Sequence, residues 1–113
     1  MEFFKTNWPL LLLACWFIYK WWLSRRIKKL LPELKAKGSI LLDVRSEAEY
    51  NSAHAQGTIN IPLNQLSGRL NELPKDKPIV VACASGTRSG MAKIMLKKNG
   101  YSEIYNLGSW ANF

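Results

Sequence analysis

Residues 78–98 read PIVVACASGTRSGMAKIMLKK, and three kinds of local structure follow one another in them. Ile79 to Ala82 form a short continuous apolar run, the pattern of a strand buried on both faces rather than one with a wet side. Cys83 closes the run. The residues that follow are small or carry hydroxyls, and Gly86 lets the backbone turn tightly without a Cβ clash. From about Thr87 to Lys98 the chain reads as a helix, with Lys97 and Lys98 near its negative end and Gly100 just past it. A buried strand that passes through a short loop into a helix is the unit from which parallel sheets are built.

The same alternation extends outward on both sides. SILLDV (39–44) is another short apolar run, and SEAEY (46–50) opens a helix with Ser46 as N-cap and Glu49 as its capping-box partner. TINI (58–61) predicts a strand, and the spacing of Leu63, Leu66, Leu70 and Leu73 predicts a helix ended by the turn PKDKP (74–78). EIYNL (103–107) is a last strand. The expected fold is α/β, a small parallel sheet flanked by helices over residues 39–113.

In open α/β sheets, chemistry sits where strands end and loops lead into helices. Cys83 falls there. A loop closing onto a helix N-terminus presents several backbone N–H groups to one centre, with the positive end of the helix dipole behind them. A cysteine sulfur at that centre is held as thiolate, and Arg88 adds a permanent charge with a fork suited to an oxyanion. The expected site is a nucleophilic sulfur in an anion cradle; the competing reading is a buried strand-end cysteine with a surface arginine nearby. Ser85 and Thr87 are candidates to donate hydrogen bonds to oxygens of a bound molecule. Cys15 and Cys83 are the only cysteines, no C-x-x-C occurs, and His54 is the single histidine. That material suits neither a disulfide scaffold nor a zinc site, so no metal is expected. His54 reads as structural, because an ionised thiol needs no general base.

The net charge of +8 is unevenly placed. Residues 1–38 hold eight Lys/Arg against two acids, and residues 39–113 hold eight against six. The excess lies beside the most apolar stretch, which points to a lipid bilayer as partner and away from nucleic acid. Residues 8–23, WPLLLLACWFIYKWWL, carry Lys20 as their one charge and tryptophans at both ends. Sixteen residues are short for the roughly 20 of a spanning helix, but Phe3 and Phe4 extend the run and Lys20 can snorkel. Residues 1–24 are therefore expected as one transmembrane anchor helix. The alternative is a helix lying in the interface, which residues 10–19, apolar all round, do not resemble. Arg25, Arg26, Lys28 and Lys29 place the following domain on the cytoplasmic side of a single-pass membrane protein. Residues 25–38 are expected as a basic juxtamembrane linker, with Pro32 ending or restarting a helix and Gly38 as a stop.

The segment LLDVRSEAEYNSAHAQGTINIP, followed about twenty residues later by IVVACASGTRSGMAKIMLKKNGY, resembles the rhodanese family over residues 39 to about 110. The likeness rests on several separated motifs in the right order. It implies a six-residue active loop, Cys83 to Arg88, whose cysteine becomes a persulfide. It implies a small sulfane-sulfur donor such as thiosulfate, a thiophilic acceptor, and no cofactor or metal. The thiolate then attacks the outer sulfur of the donor, and the backbone N–H groups of Ala84, Ser85, Gly86, Thr87, Arg88 and Ser89 stabilise the persulfide anion. Asp43 and Arg45 stand in the family's D-V-R motif and brace the site, with Glu49 as a possible partner for Arg45. Two departures stand out. The family's usual first strand and helix are replaced by the basic segment, and the chain stops at LGSWANF where another helix usually follows. Phosphatases that share this fold are an alternative, but their Cys–Arg loop is one residue longer. A non-enzymatic binding module, in which the cysteine has been lost, is another that Cys83 argues against.

Overall fold

A computed structural model describes residues 2–113 of the chain; the side chains of residues 2–5, Phe3 and Phe4 among them, lie outside what is described. The elements are α1 (Glu2–Ala36), β1 (Ile40–Asp43), α2 (Glu47–Ser52), β2 (Ile59–Asn60), α3 (Leu63–Leu66), β3 (Ile79–Cys83), α4 (Thr87–Lys98) and β4 (Ile104–Ser109). Two 3₁₀ turns, Leu70–Glu72 and Trp110–Asn112, complete the chain. The four strands form one parallel sheet in the order β2-β1-β3-β4. The chain leaves β1 toward β2 and returns to the other side of β1 as β3. The switch point thus lies between β1 and β3, where α/β sheets open a crevice at the strand ends.

The apolar runs of β1 and β3 are buried on both faces for a reason visible in their alternation. Ile79, Val81 and Cys83 face a core built with α3 and α4, through Leu66, Ala92 and Leu96. Val80 and Ala82 face the opposite core, with Leu41 and Leu107. That second core is closed by Ile27, Leu31 and Leu34 of α1, each about 5 % exposed or less. Residues 25–36, expected as a linker, are thus helical and form a wall of the domain.

Pro32 neither ends nor restarts α1. An internal proline costs about 3 kcal/mol, whereas burying each aliphatic side chain contributes roughly 1.5–3 kcal/mol, so the three anchors outweigh it. The helix stops at Gly38, whose φ of 77° is the left-handed conformation of a Schellman end. There the Gly38 N–H donates to Lys35 O and the Ser39 N–H to Leu34 O. The upper end of the packed half is hooked by Ser24, whose hydroxyl donates to Leu107 O at 2.7 Å.

The expectation of a transmembrane helix needs correction. Among the described residues, no helix is long and apolar enough to cross a membrane. The apolar run is sixteen residues, about 24 Å at 1.5 Å per residue, against a hydrocarbon core of about 30 Å. Trp16, Phe17, Lys20 and Trp21 of the run's second half line an open cleft with Ser85, Gly86 and Thr87 of the loop that follows β3.

The helix expected across Leu63–Leu73 is broken into α3 and a 3₁₀ turn. Gly68 falls between them, where a helix interior loses about 1 kcal/mol relative to alanine. Leu66 and Leu73 are buried as the spacing predicts. The Tyr101 hydroxyl lies 2.8 Å from both Leu70 O and Leu73 O and donates its one proton at the end of this turn, where Leu70 O also accepts from the Leu73 N–H.

Candidate active site

Cys83 is the last residue of β3, and its side chain is 1 % exposed. Its sulfur is the floor of the loop formed by Ala84, Ser85, Gly86 and Thr87. Gly86 is the N-cap of α4 with φ 98°, and its N–H donates to Cys83 Sγ at 2.9 Å. A Cβ on Gly86 would meet Gly108 Cα at 3.2 Å, so both the backbone conformation and the neighbouring strand require glycine there. Ala84, Ser85 and Thr87 are exposed around the sulfur. The Ser85 and Thr87 hydroxyls lie 3.4 Å apart at the mouth.

Burial pushes the Cys83 thiol up, but hydrogen bonds from the Ser89 hydroxyl and from the N–H groups of Ser89, Gly86 and Ser85 outweigh it, so its pKa lies below the ordinary value. The cradle therefore favours the thiolate, the nucleophilic form. Ser89, fully buried, stands 3.5 Å from Sγ and donates to Asn106 Oδ1 at 2.6 Å. Asn106 Oδ1 also accepts from the Gly108 N–H at 3.1 Å. The Ser89 proton is thus free to turn to an ionised sulfur without orphaning the amide oxygen. Asn106 Nδ2 closes the brace by donating to Gly86 O at 3.2 Å.

Sequence reasoning missed Asn106. The signal was an asparagine inside an apolar strand, a residue depleted from strands. A bulge in β4 aims it: Val81 pairs with Asn106 but Ala82 pairs with Gly108, so Leu107 is the extra residue and drops into the core below α1.

Asp43 and Arg45, which the D-V-R motif suggested as braces of the site, brace each other, and the expected Arg45–Glu49 pair does not form. Arg45 instead grips Asp43 (Nη2 to Oδ2, 2.9 Å), with both residues under 5 % exposed, and donates to Ala53 O at 2.7 Å. Trp110 lies over its guanidinium at 4.3 Å. Arg45 has no reach left for the Glu49 carboxylate; only its Nη1 approaches the Glu49 backbone carbonyl, at 3.4 Å.

Glu49 binds Arg88. Two parallel bonds, Nη1 to Oε1 at 2.7 Å and Nη2 to Oε2 at 3.0 Å, join α2 to the first turn of α4. The capping box with Ser46 forms as read, so one carboxylate serves both. The Arg88 bonds, helped by the Ser46 N–H and hydroxyl, hold the Glu49 pKa at about 2. Arg88, expected to meet an incoming anion, has its charge matched within the protein. His54 stacks on Tyr50 and bonds its carbonyl at 2.8 Å. Among the described residues, no group of acidic, histidine and cysteine side chains gathers where it could hold a metal ion.

A strand-end cysteine, a six-residue loop onto a helix and a buried Asp–Arg brace occur together here, and the family model for the rhodanese-like domain matches residues 26–113. The chain belongs to the rhodanese-like family. The match begins inside α1, in agreement with the packing of Ile27, Leu31 and Leu34. Among similar proteins, an uncharacterized protein of Bacillus subtilis strain 168, YqhL, is 40% identical over 105 residues, covering 87% of this chain and 83% of that protein. Thiosulfate sulfurtransferase PspE of Escherichia coli K12 is 39% identical over 69 residues, covering 59% of this chain and 66% of that one. A solved rhodanese with anions from E. coli superposes with a TM-score of 0.62 at 34% identity, covering 66% of this chain and 91% of that one.

Proposed function

We propose that the protein is a sulfurtransferase that takes a sulfane sulfur from a small donor such as thiosulfate onto Cys83 and passes it to a thiophilic acceptor. The observation that carries this reading is the Cys83 sulfur, held by the Gly86 N–H at 2.9 Å at the mouth of the α4 N-terminus. The thiolate attacks the outer sulfur of the donor, the donor's S–S bond breaks, and the leaving anion departs with the electron pair. The terminal sulfur of the resulting persulfide carries the negative charge that loop N–H groups and the helix dipole stabilise. An acceptor nucleophile then attacks that sulfur and restores the thiolate, a ping-pong cycle. The sulfurtransferase names of PspE and of other relatives support the reading. Incubation with thiosulfate leaves Cys83 one sulfur heavier by mass, and added cyanide discharges it as thiocyanate. Cys83-dependent turnover of aryl phosphates, with no persulfide from any donor, would establish the phosphatase reading instead.

We also propose that the protein works at an anionic bilayer surface, held there by α1. Leu10, Leu12, Ile18 and Trp22 of α1 are each half exposed or more, and Arg25, Arg26, Lys28 and Lys29 follow them. Apolar side chains beside a basic cluster suit an anionic lipid surface. The full-length chain floats with vesicles containing anionic phospholipid; recovery in the lipid-free fraction overturns this part of the reading.

A further inference from the structure

Four cations follow the aromatic stretch of α1, and three of them share one cleft. Arg25, Lys28 and Lys29, together with Trp21, Ser24 and Asn112, line a cavity of about 530 Å³ between α1 and the 3₁₀ turn Trp110–Asn112. Arg25 lies three and four positions before Lys28 and Lys29, so the charges are neighbours on the helix and repel one another. Among the described residues, ion pairs join Arg45 to Asp43, Arg69 to Glu72 and Arg88 to Glu49, and none reaches this cluster. Glu33, four positions beyond Lys29, does not line the cleft, and Phe113 O is taken by Lys35 outside it. The Arg25 guanidinium lies 4.8 Å from the Trp21 ring centroid, which holds its fork at the aromatic end. Across the cleft, Asn112 Nδ2 stands 3.5 Å from both Ser24 Oγ and Leu107 O, the long limit of a hydrogen bond, and keeps donor capacity to spare. Three cations and a spare amide donor around one space fit an anion with several oxygens and more than one charge, which a terminal phosphate supplies. Toward the N-terminus the surface turns apolar at Trp21 and Trp22, 59% and 50% exposed, so the body attached to that phosphate is apolar as well.

Resting on the reading of α1 as the element that meets a bilayer, we propose that this cleft binds the phosphomonoester headgroup of an anionic phospholipid. The Arg25 fork and the Lys28 and Lys29 ammoniums meet the phosphate oxygens, and Asn112 donates a further hydrogen bond. Trp21 sits at the headgroup level, where the acyl chains begin. A diffuse basic surface answers to the charge of a membrane alone. A cleft with a fixed guanidinium and a neutral donor distinguishes a terminal phosphate from a phosphodiester in which one oxygen is esterified again.

The test follows flotation of the full-length chain with phosphatidylcholine vesicles carrying either phosphatidate or phosphatidylglycerol, in amounts adjusted to equal surface potential. Phosphatidate is bound about tenfold more tightly, the effect of one additional charge-assisted hydrogen bond. Lys28→Gln and Arg26→Gln each remove one exposed charge, but only Lys28 lines this cleft. Lys28→Gln therefore lowers the affinity for phosphatidate severalfold more than Arg26→Gln does. Asn112→Ala changes no charge and gives up only long hydrogen bonds within the protein, yet it cuts the preference for phosphatidate severalfold. Equal affinity for the two lipids, or equal losses from Lys28→Gln and Arg26→Gln, overturns the site and leaves a diffuse basic surface. Inorganic phosphate that displaces the chain from the vesicles at the concentration at which phosphatidate itself binds overturns the lipid as its ligand. Recovery of the chain in the lipid-free fraction with both kinds of vesicle removes the bilayer reading itself.

Discussion

Cys83→Ser abolishes thiocyanate formation, with a loss of roughly 10³-fold or more, and leaves no persulfide detectable by mass. The loop is organised around a sulfur that ionises. The Gly86 N–H and the Ser89 hydroxyl favour an anion at that position, and the thiol pKa is lowered in consequence. A serine hydroxyl gains little from the same donors, because its pKa lies far above any working pH and it is a weak nucleophile toward sulfur. The substitution should leave the fold intact, since a hydroxyl also accepts from the Gly86 N–H, and the thermal midpoint moves by no more than about 4–8 °C, the shift of a change near 1 kcal/mol. Cys15→Ser is the matched control. Cys15 is exposed on α1, outside the loop, and its removal leaves transfer unchanged. Equal activity of the Cys83 variant and the native chain would remove the nucleophile from the proposed mechanism.

Removal of residues 1–38 abolishes cooperative unfolding, whereas a fragment beginning at residue 24 retains it. The shorter fragment keeps all four strands but loses Ile27, Leu31 and Leu34, which cover Val80, Ala82 and Leu107. Burial of three such side chains contributes about 4–9 kcal/mol, against the 5–15 kcal/mol that a whole domain has to spare. Starting at residue 24 preserves these anchors and the Ser24 hydrogen bond to Leu107 O. Chemical denaturation followed by far-UV circular dichroism distinguishes the two fragments. A sharp transition in the fragment from residue 39 would show that the α3 and α4 core suffices by itself.

The contrast between these two predictions reflects how different parts of the chain encode structure. Cys83 and the Gly86 turn were legible because strand, loop and helix are contiguous, and their chemistry follows from local order. The Ser46–Glu49 capping box was legible for the same reason, being a contact three residues long. The partner of Arg88 was not. Glu49 lies 39 positions earlier, and Arg45 is nearer to it in sequence, so a one-dimensional pairing chose the wrong arginine. Only the parallel alignment of β1 with β3 brings the start of α2 against the start of α4, while Arg45 is taken by Asp43, two positions away. The basic segment 25–38 misled in a similar way. Its charges are evident in any reading, whereas Ile27, Leu31 and Leu34 acquire meaning only when a sheet face lies opposite them.

By itself, the sequence determined the alternation of strands and helices, the cysteine at the strand end and the turn that cradles it, because buried runs, caps and left-handed glycines are local properties. Tertiary structure decided three further matters: which carboxylate neutralises Arg88, that Asn106 braces the loop across a bulge, and that Ile27, Leu31 and Leu34 of α1 close the second face of the sheet. The physical reason is distance along the chain. Such contacts join residues 20 or more positions apart, and the pairing of the sheet and the burial of its second face decide which of the possible partners meet.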